Sequence, residues 1–108
     1  MTTTPARVPV DVSVLVPAKD EADNLPEFLR QADEALSASG FSFEVIVVDD
    51  GSRDGTAAVL DSLGQRYPFL RVVTHRRQRG IADALVSAQE KARGDISVFY
   101  PADLQYLP

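Results

Sequence analysis

The 108-residue sequence has no cysteine, no tryptophan, one histidine and one methionine. Lack of cysteine excludes disulfides and thiolate metal sites, and it fits a reducing compartment. A basic excess is also missing: 11 Lys and Arg face 16 Asp and Glu, for a net charge of −5. Nucleic-acid binders usually carry surplus positive charge to neutralise phosphates, so no nucleic-acid partner is expected and any anion site must be local. No apolar run approaches the roughly 18 residues that could cross a bilayer. Met1 to Val10 has no signal-peptide core, so a cytoplasmic location is expected.

The composition that remains is ordinary for a folded globular chain, 44% hydrophobic and 25% charged, with length for one core and not two. Residues 1–9, rich in Thr and Pro and without periodicity, are expected to be a flexible lead-in to a single unit over 10–108. From there short apolar runs alternate with helical patterns. Val12 to Val16, Phe43 to Val48, Leu70 to Thr74 and Ile96 to Tyr100 read as strands buried on both faces.

Three amphipathic stretches separate the strands. The first carries Leu25, Phe28, Leu29, Ala32 and Leu36, with Asp23 and Pro26 as start signals and Gly40 closing it. The second carries Thr56, Val59, Leu60 and Leu63 behind Asp54 as N-cap, and ends before Pro68. The third carries Ile81, Ala84, Leu85, Ala88 and Ala92, with Gly94 as its stop. Such alternation predicts an α/β fold, a Rossmann-like parallel sheet with helices on both faces. Ligands of such sheets bind beyond the carboxyl ends of the strands, which directs attention to four loops.

The first loop, Pro17-Ala18-Lys19-Asp20-Glu21, offers acidic acceptors for ribose hydroxyls or a base edge; alternatively, Asp20 and Asp23 cap the next helix. The second, from Asp49 and Asp50 through Gly51, Ser52, Arg53, Asp54 and Gly55, pairs adjacent carboxylates with a tight turn. Two uncompensated acids after an apolar strand would repel each other, which favours a ligand-binding role over a plain turn. The third holds His75, Arg76, Arg77 and Arg79 ahead of a helix, either a diphosphate site or a solvated charge run. His75 reads as a strand-end residue. The fourth supplies Asp103 and Gln105, oxygen ligands of the kind that suit Mg²⁺ or Mn²⁺.

In this order and spacing the loops resemble family 2 glycosyltransferases of the GT-A fold, especially the dolichyl-phosphate and undecaprenyl-phosphate sugar transferases. The carriers are Val14 to Glu21, Val47 to Thr56, Arg79-Gly80, Ala92 to Asp95 and Ala102 to Gln105, and the likeness runs from Val12 to Pro108. The resemblance implies that Pro17, Ala18, Glu21 and Asp50 hold the base and ribose of a UDP- or GDP-sugar, with Asp49 in support and Arg79 near the diphosphate. It implies a divalent metal, Mg²⁺ or Mn²⁺, on Asp103, the last carboxylate of the family's Asp-x-Asp motif, with Gln105 beside it. An acceptor, in that branch a polyprenyl phosphate at the cytoplasmic face of a membrane, then attacks the anomeric carbon with inversion.

Two positions depart from the family pattern. Pro101 stands where the motif has its first Asp, and Gln78 where the family often has Asn. The family's general base and acceptor elements lie past the acidic motif, so no base is assigned within these residues.

Competing readings are a nucleotide-binding module without turnover and a signalling receiver domain. The receiver fits poorly, because its acidic pair follows the first strand and here the pair follows the second. A dinucleotide-binding dehydrogenase lacks its Gly-x-Gly-x-x-Gly after the first strand. An uncovered sheet edge is expected, and with it self-association.

Overall fold

A computed structural model describes residues 10–102. The expected lead-in over 1–9 and the metal candidates Asp103 and Gln105 lie outside the described residues. The elements run β1 (Val10–Ala18), α1 (Leu25–Ser37), β2 (Phe43–Asp50), α2 (Thr56–Arg66), β3 (Leu70–His75), α3 (Ile81–Lys91) and β4 (Gly94–Phe99). All pairings are parallel and the strand order is β3-β2-β1-β4. In a receiver-like sheet β1 lies between β2 and β3; here its neighbours are β2 and β4, the dinucleotide-fold arrangement, and the receiver reading is excluded.

Side chains of a strand alternate between faces, so the uninterrupted apolar runs of β1 and β2 supply two cores. Val14, Val16, Val45 and Val47 meet Leu25, Phe28 and Leu29 of α1 and Leu60 and Leu63 of α2. Leu15, Ile46 and Val48 point the other way, against Ala84 and Ala88 of α3. Alanines at those helical positions let α3 lie close to the sheet. Burial is complete for Leu25 and Leu29, each worth about 1.5–3 kcal/mol relative to exposure.

Several expected element boundaries shift: β1, β2 and β3 run on through Ala18, Asp50 and His75, and β4 stops at Phe99, short of Tyr100. Gly94 begins β4 instead of ending α3, because β4 presses on β1: a Cβ at Gly94 would stand 2.7 Å from both Ser13 N and Ser13 Oγ. The cap position of α1 is Asn24, not Asp23, which is exposed. Asn24 makes no side-chain cap bond; the Glu21 carbonyl instead accepts the N–H groups of Asn24 and Leu25. Asp54 sits one residue before the N-cap Gly55, yet its carboxylate still accepts the Thr56 N–H at 2.9 Å. Ile81, expected on the buried face of α3, is 63% exposed because it opens the helix beside a cavity.

At the amino end of the sheet one charged residue is buried. Glu44, 1% exposed, accepts bonds from Ser13 Oγ (2.7 Å), Arg71 (2.8 Å) and the Arg93 backbone N–H (2.7 Å). The Arg93 guanidinium adds a further bond at 3.1 Å. Burial pushes this carboxyl up, but the Ser13, Arg93 and Arg71 bonds outweigh it and hold it at about 2. Glu44 thereby ties β1, β2, β3 and the turn into β4 together.

Among the described residues β4 pairs only with β1 and so forms one edge of the sheet, and Ile96, Val98 and Phe99 are 60%, 40% and 48% exposed. Among the described residues no helix is long and apolar enough to cross a membrane.

Candidate functional site

The strand order reverses between β1 and β4, and a crevice opens beyond their carboxyl ends, where ligands of such sheets bind. A cavity of about 260 Å³ lies there. All four loops line it: Pro17, Ala18, Lys19 and Glu21; Asp50; Gln78, Gly80 and Ile81; and Phe99, Pro101 and Ala102. A larger, shallower depression of about 630 Å³ is lined by one segment only, Thr74 to Arg77 with Arg79. Convergence of separate chain segments, rather than volume, marks the first as the candidate site.

Asp49 and Asp50 are not the mutually repelling pair expected from their adjacency. Both still belong to β2, so they leave opposite faces of the sheet. Asp49 lies on the α2 side and accepts the Ser52 N–H at 3.1 Å, closing the turn. Asp50 lies on the α3 side, facing the cavity. Its Oδ1 accepts the Arg79 N–H at 2.9 Å and lies 2.8 Å from His75 Nδ1. Its Oδ2 accepts the Gly80 N–H at 2.9 Å. Burial pushes the Asp50 carboxyl up, but bonds from His75 and these two N–H groups hold it below the usual carboxylate range.

Asp20 does not cap α1. It takes a left-handed backbone conformation, φ +55°, and reaches across to the second loop, where its carboxylate accepts the N–H groups of Arg53 (2.8 Å) and Asp54 (3.2 Å). Its own N–H donates to Ser52 Oγ at 2.8 Å. The Arg53 bond, followed by that from Lys19, lowers its pKa. Lys19 Nζ also donates to the Gly51 carbonyl at 3.1 Å. Glu21 donates its N–H to Thr56 Oγ, and its carboxylate accepts the Asn24 amide at 2.8 Å. Thr56 in turn donates its hydroxyl to Asp54, whose carboxyl is held low chiefly by that bond.

Pro17, Ala18, Glu21 and Asp50 thus line one cavity, whereas Asp49 lies on the other face of the sheet. Arg79 enters the site through its backbone. Its guanidinium, 3.5 Å from Asp83 and half exposed, borders the shallow depression with Arg76 and Arg77. Sequence reading missed Lys19 in the cavity wall, and it missed the partners of His75. No local signal pointed to them: His75 and Asp50 meet because β2 and β3 pair in a register that places the two side by side. Among the described residues no group of three or more Asp, Glu, His or Cys could hold a metal ion.

Comparison with known proteins agrees with this architecture. A family model described as Glycosyl transferase family 2 matches residues 13–108. The chain is 36% identical over 97 residues to a dolichol-phosphate mannosyltransferase of Pyrococcus furiosus, covering 90% of this chain and 27% of that protein. It is 39% identical over 102 residues to an undecaprenyl-phosphate 4-deoxy-4-formamido-L-arabinose transferase of Pseudomonas paraeruginosa, covering 93% and 30%. A mannosyltransferase from Pyrobaculum calidifontis, solved in complex with GDP-Man and Mn²⁺, superposes with a TM-score of 0.74 at 32% identity, covering 89% of this chain and 28% of that one. The chain therefore spans less than a third of the length of these three proteins. Sharing both their sequence motifs and their GT-A sheet, the chain belongs to glycosyl transferase family 2.

Proposed function

We propose that this chain is the donor-binding part of an inverting glycosyltransferase that takes a sugar from a UDP- or GDP-linked donor. The observation that carries the reading is the convergence of all four strand-end loops on one cavity, with the Asp50 carboxylate and Glu21 at its wall. Pro17 and Ala18 shape the side against which a base can lie, and the two acids can accept bonds from its N–H groups or from ribose hydroxyls. The N-terminus of α3, with Arg79 beside it, favours the diphosphate.

Asp103 and Gln105 offer hard oxygen donors, which suit Mg²⁺ or Mn²⁺. Bound there, the cation would neutralise charge on the departing nucleoside diphosphate. The related mannosyltransferase was solved with GDP-Man and Mn²⁺, which supports both the donor class and a divalent metal. Relatives named for dolichol-phosphate and undecaprenyl-phosphate support a lipid-phosphate acceptor, met at the cytoplasmic face of a membrane. The apolar side chains exposed along β4 among the described residues support self-association.

Calorimetric titration with UDP-sugars and GDP-mannose, with and without Mn²⁺, tests this reading. Metal-enhanced binding of one nucleotide class is the expected result; binding of none would overturn it. Binding with no sugar transferred to a polyprenyl phosphate would identify a nucleotide-binding module without turnover.

A further inference from the structure

His75 and Ser87 are absent from the cavity wall, yet both are chained to a carboxylate that faces it. Ionised Asp50 can only accept hydrogen bonds, so the His75 Nδ1 that lies 2.8 Å from its Oδ1 carries a proton and donates. His75 Nε2 is 2.7 Å from Ser87 Oγ on α3. A hydroxyl can donate to a bare ring nitrogen or accept from a protonated one, so both bonds of the imidazole survive in either charge state. The His75 and Asp50 side chains are 4% and 6% exposed, so bulk water has little access to the pair.

A carboxylate offers about four acceptor positions. Among the described residues Oδ1 is committed to His75 and Arg79, and Oδ2 to Gly80, which leaves one position on Oδ2 beside the cavity. Rotating the Asp50 side chain would break these bonds and turn that position away. Of the three donors, Arg79 and Gly80 act through their backbones, and only His75 acts through a side chain.

We propose that His75, steadied by Ser87, is a positioning residue that aims the free acceptor of Asp50 at a hydroxyl or N–H of the bound donor, a role that rests on the donor-site reading above. The relay itself is testable without ligand. An Asn side chain places an amide N–H near the Nδ1 position, whereas Gln places its amide near Nε2. His75→Asn should therefore keep the Asp50 bond, and His75→Gln should lose it.

Amide hydrogen exchange at Arg79 and Gly80 should accelerate on the order of tenfold in His75→Gln and stay near wild type in His75→Asn, as expected for loss of one charge-assisted bond. Nucleotide affinity, measured well below the unfolding temperature, should fall about tenfold in His75→Gln and recover in His75→Asn. Should His75→Gln fail to fold, Ser87→Ala cuts the chain at its other end and should weaken binding about threefold. Unchanged exchange in His75→Gln, or in Ser87→Ala where it replaces that variant, would overturn the relay. Altered exchange with unaltered affinity would reduce His75 to a structural role and overturn the proposal. A wild-type chain that binds no nucleotide would overturn the donor-site reading instead, and with it the ligand half of this one.

Discussion

Gly51 and Gln78 touch backbone to backbone: a Cβ at Gly51 would stand 2.5 Å from Gln78 N and 2.6 Å from the Arg77 carbonyl carbon. This contact brings the turn after β2 against the loop after β3. Gly51 also has φ +74°, a region that residues with a Cβ rarely adopt. Gly51→Ala should cost about 2–4 kcal/mol, from backbone strain and overpacking together. Gly40 is the control, since its φ is +83° but nothing lies within 4 Å of a Cβ there. Gly40→Ala should cost only about 1–2 kcal/mol. Urea unfolding of both variants decides it, and equal losses would mean that the close approach has no energetic weight.

Glu44 should dominate the acid sensitivity of the fold. Its pKa is held at about 2 in the folded chain against an ordinary 4.5, so its contribution is fully present above about pH 4.5 and fades as pH falls toward 2. Glu44→Gln should flatten the stability profile in that window by up to about 1.4 kcal/mol per pH unit. Glu44→Ala takes the acceptor from the Ser13 hydroxyl and the Arg93 N–H, while Arg71 keeps the Lys91 carbonyl and both guanidiniums reach solvent, so it should cost about 1–3 kcal/mol at neutral pH. Chemical unfolding from pH 2.5 to 7 measures both, and a Glu44→Gln profile parallel to wild type would refute the assignment.

Asp50 should tolerate no amide. Asp50→Asn replaces one acceptor oxygen by a donor, so one of the donors at His75, Arg79 or Gly80 would face another donor. A loss of about 1–3 kcal/mol in stability is expected, with nucleotide affinity reduced on the order of a hundredfold. Because the folded-state pKa of Asp50 is depressed, its contribution is present above the ordinary carboxylate range and is lost only as pH falls below it. Wild-type affinity should therefore show no Asp50 titration between about pH 5 and 8. Isothermal titration across that range, on wild type and variant, provides the check.

Ile96 and Val98 stand exposed on β4, and an apolar edge strand is a template for pairing with another chain. If the proposed self-association runs through this edge, replacing both with Lys should lower the apparent mass in light scattering without loss of helical signal. An unchanged mass would remove β4 from the interface.

Much of the fold was legible because apolar runs and helical spacing are local properties. Leu15, Ile46 and Val48 had to be buried on one side and Val14, Val16, Val45 and Val47 on the other once each run was a strand between two helical layers. The loops carrying Pro17, Glu21 and Asp50 followed from the rule that ligands sit at the carboxyl ends of parallel strands. Glu44 was overlooked within an apolar run, because its partners Ser13, Arg71 and Arg93 are distant in sequence. The side of the sheet taken by Asp49 as against Asp50 depended on β2 continuing two residues further than its apolar run.

The sequence by itself therefore determined the α/β alternation, the burial of β1 and β2 and the loops in which polar side chains gather, since each follows from periodicity within a few residues; β3 and β4, expected to be buried on both faces as well, are half or mostly exposed. Only the tertiary structure decided that β4 joins β1, that Asp50 is already bound by three donors, and that His75 rather than an arginine side chain stands behind it. Those are relations between segments far apart in the chain. They arise when parallel strands come into register, and no local pattern encodes that register.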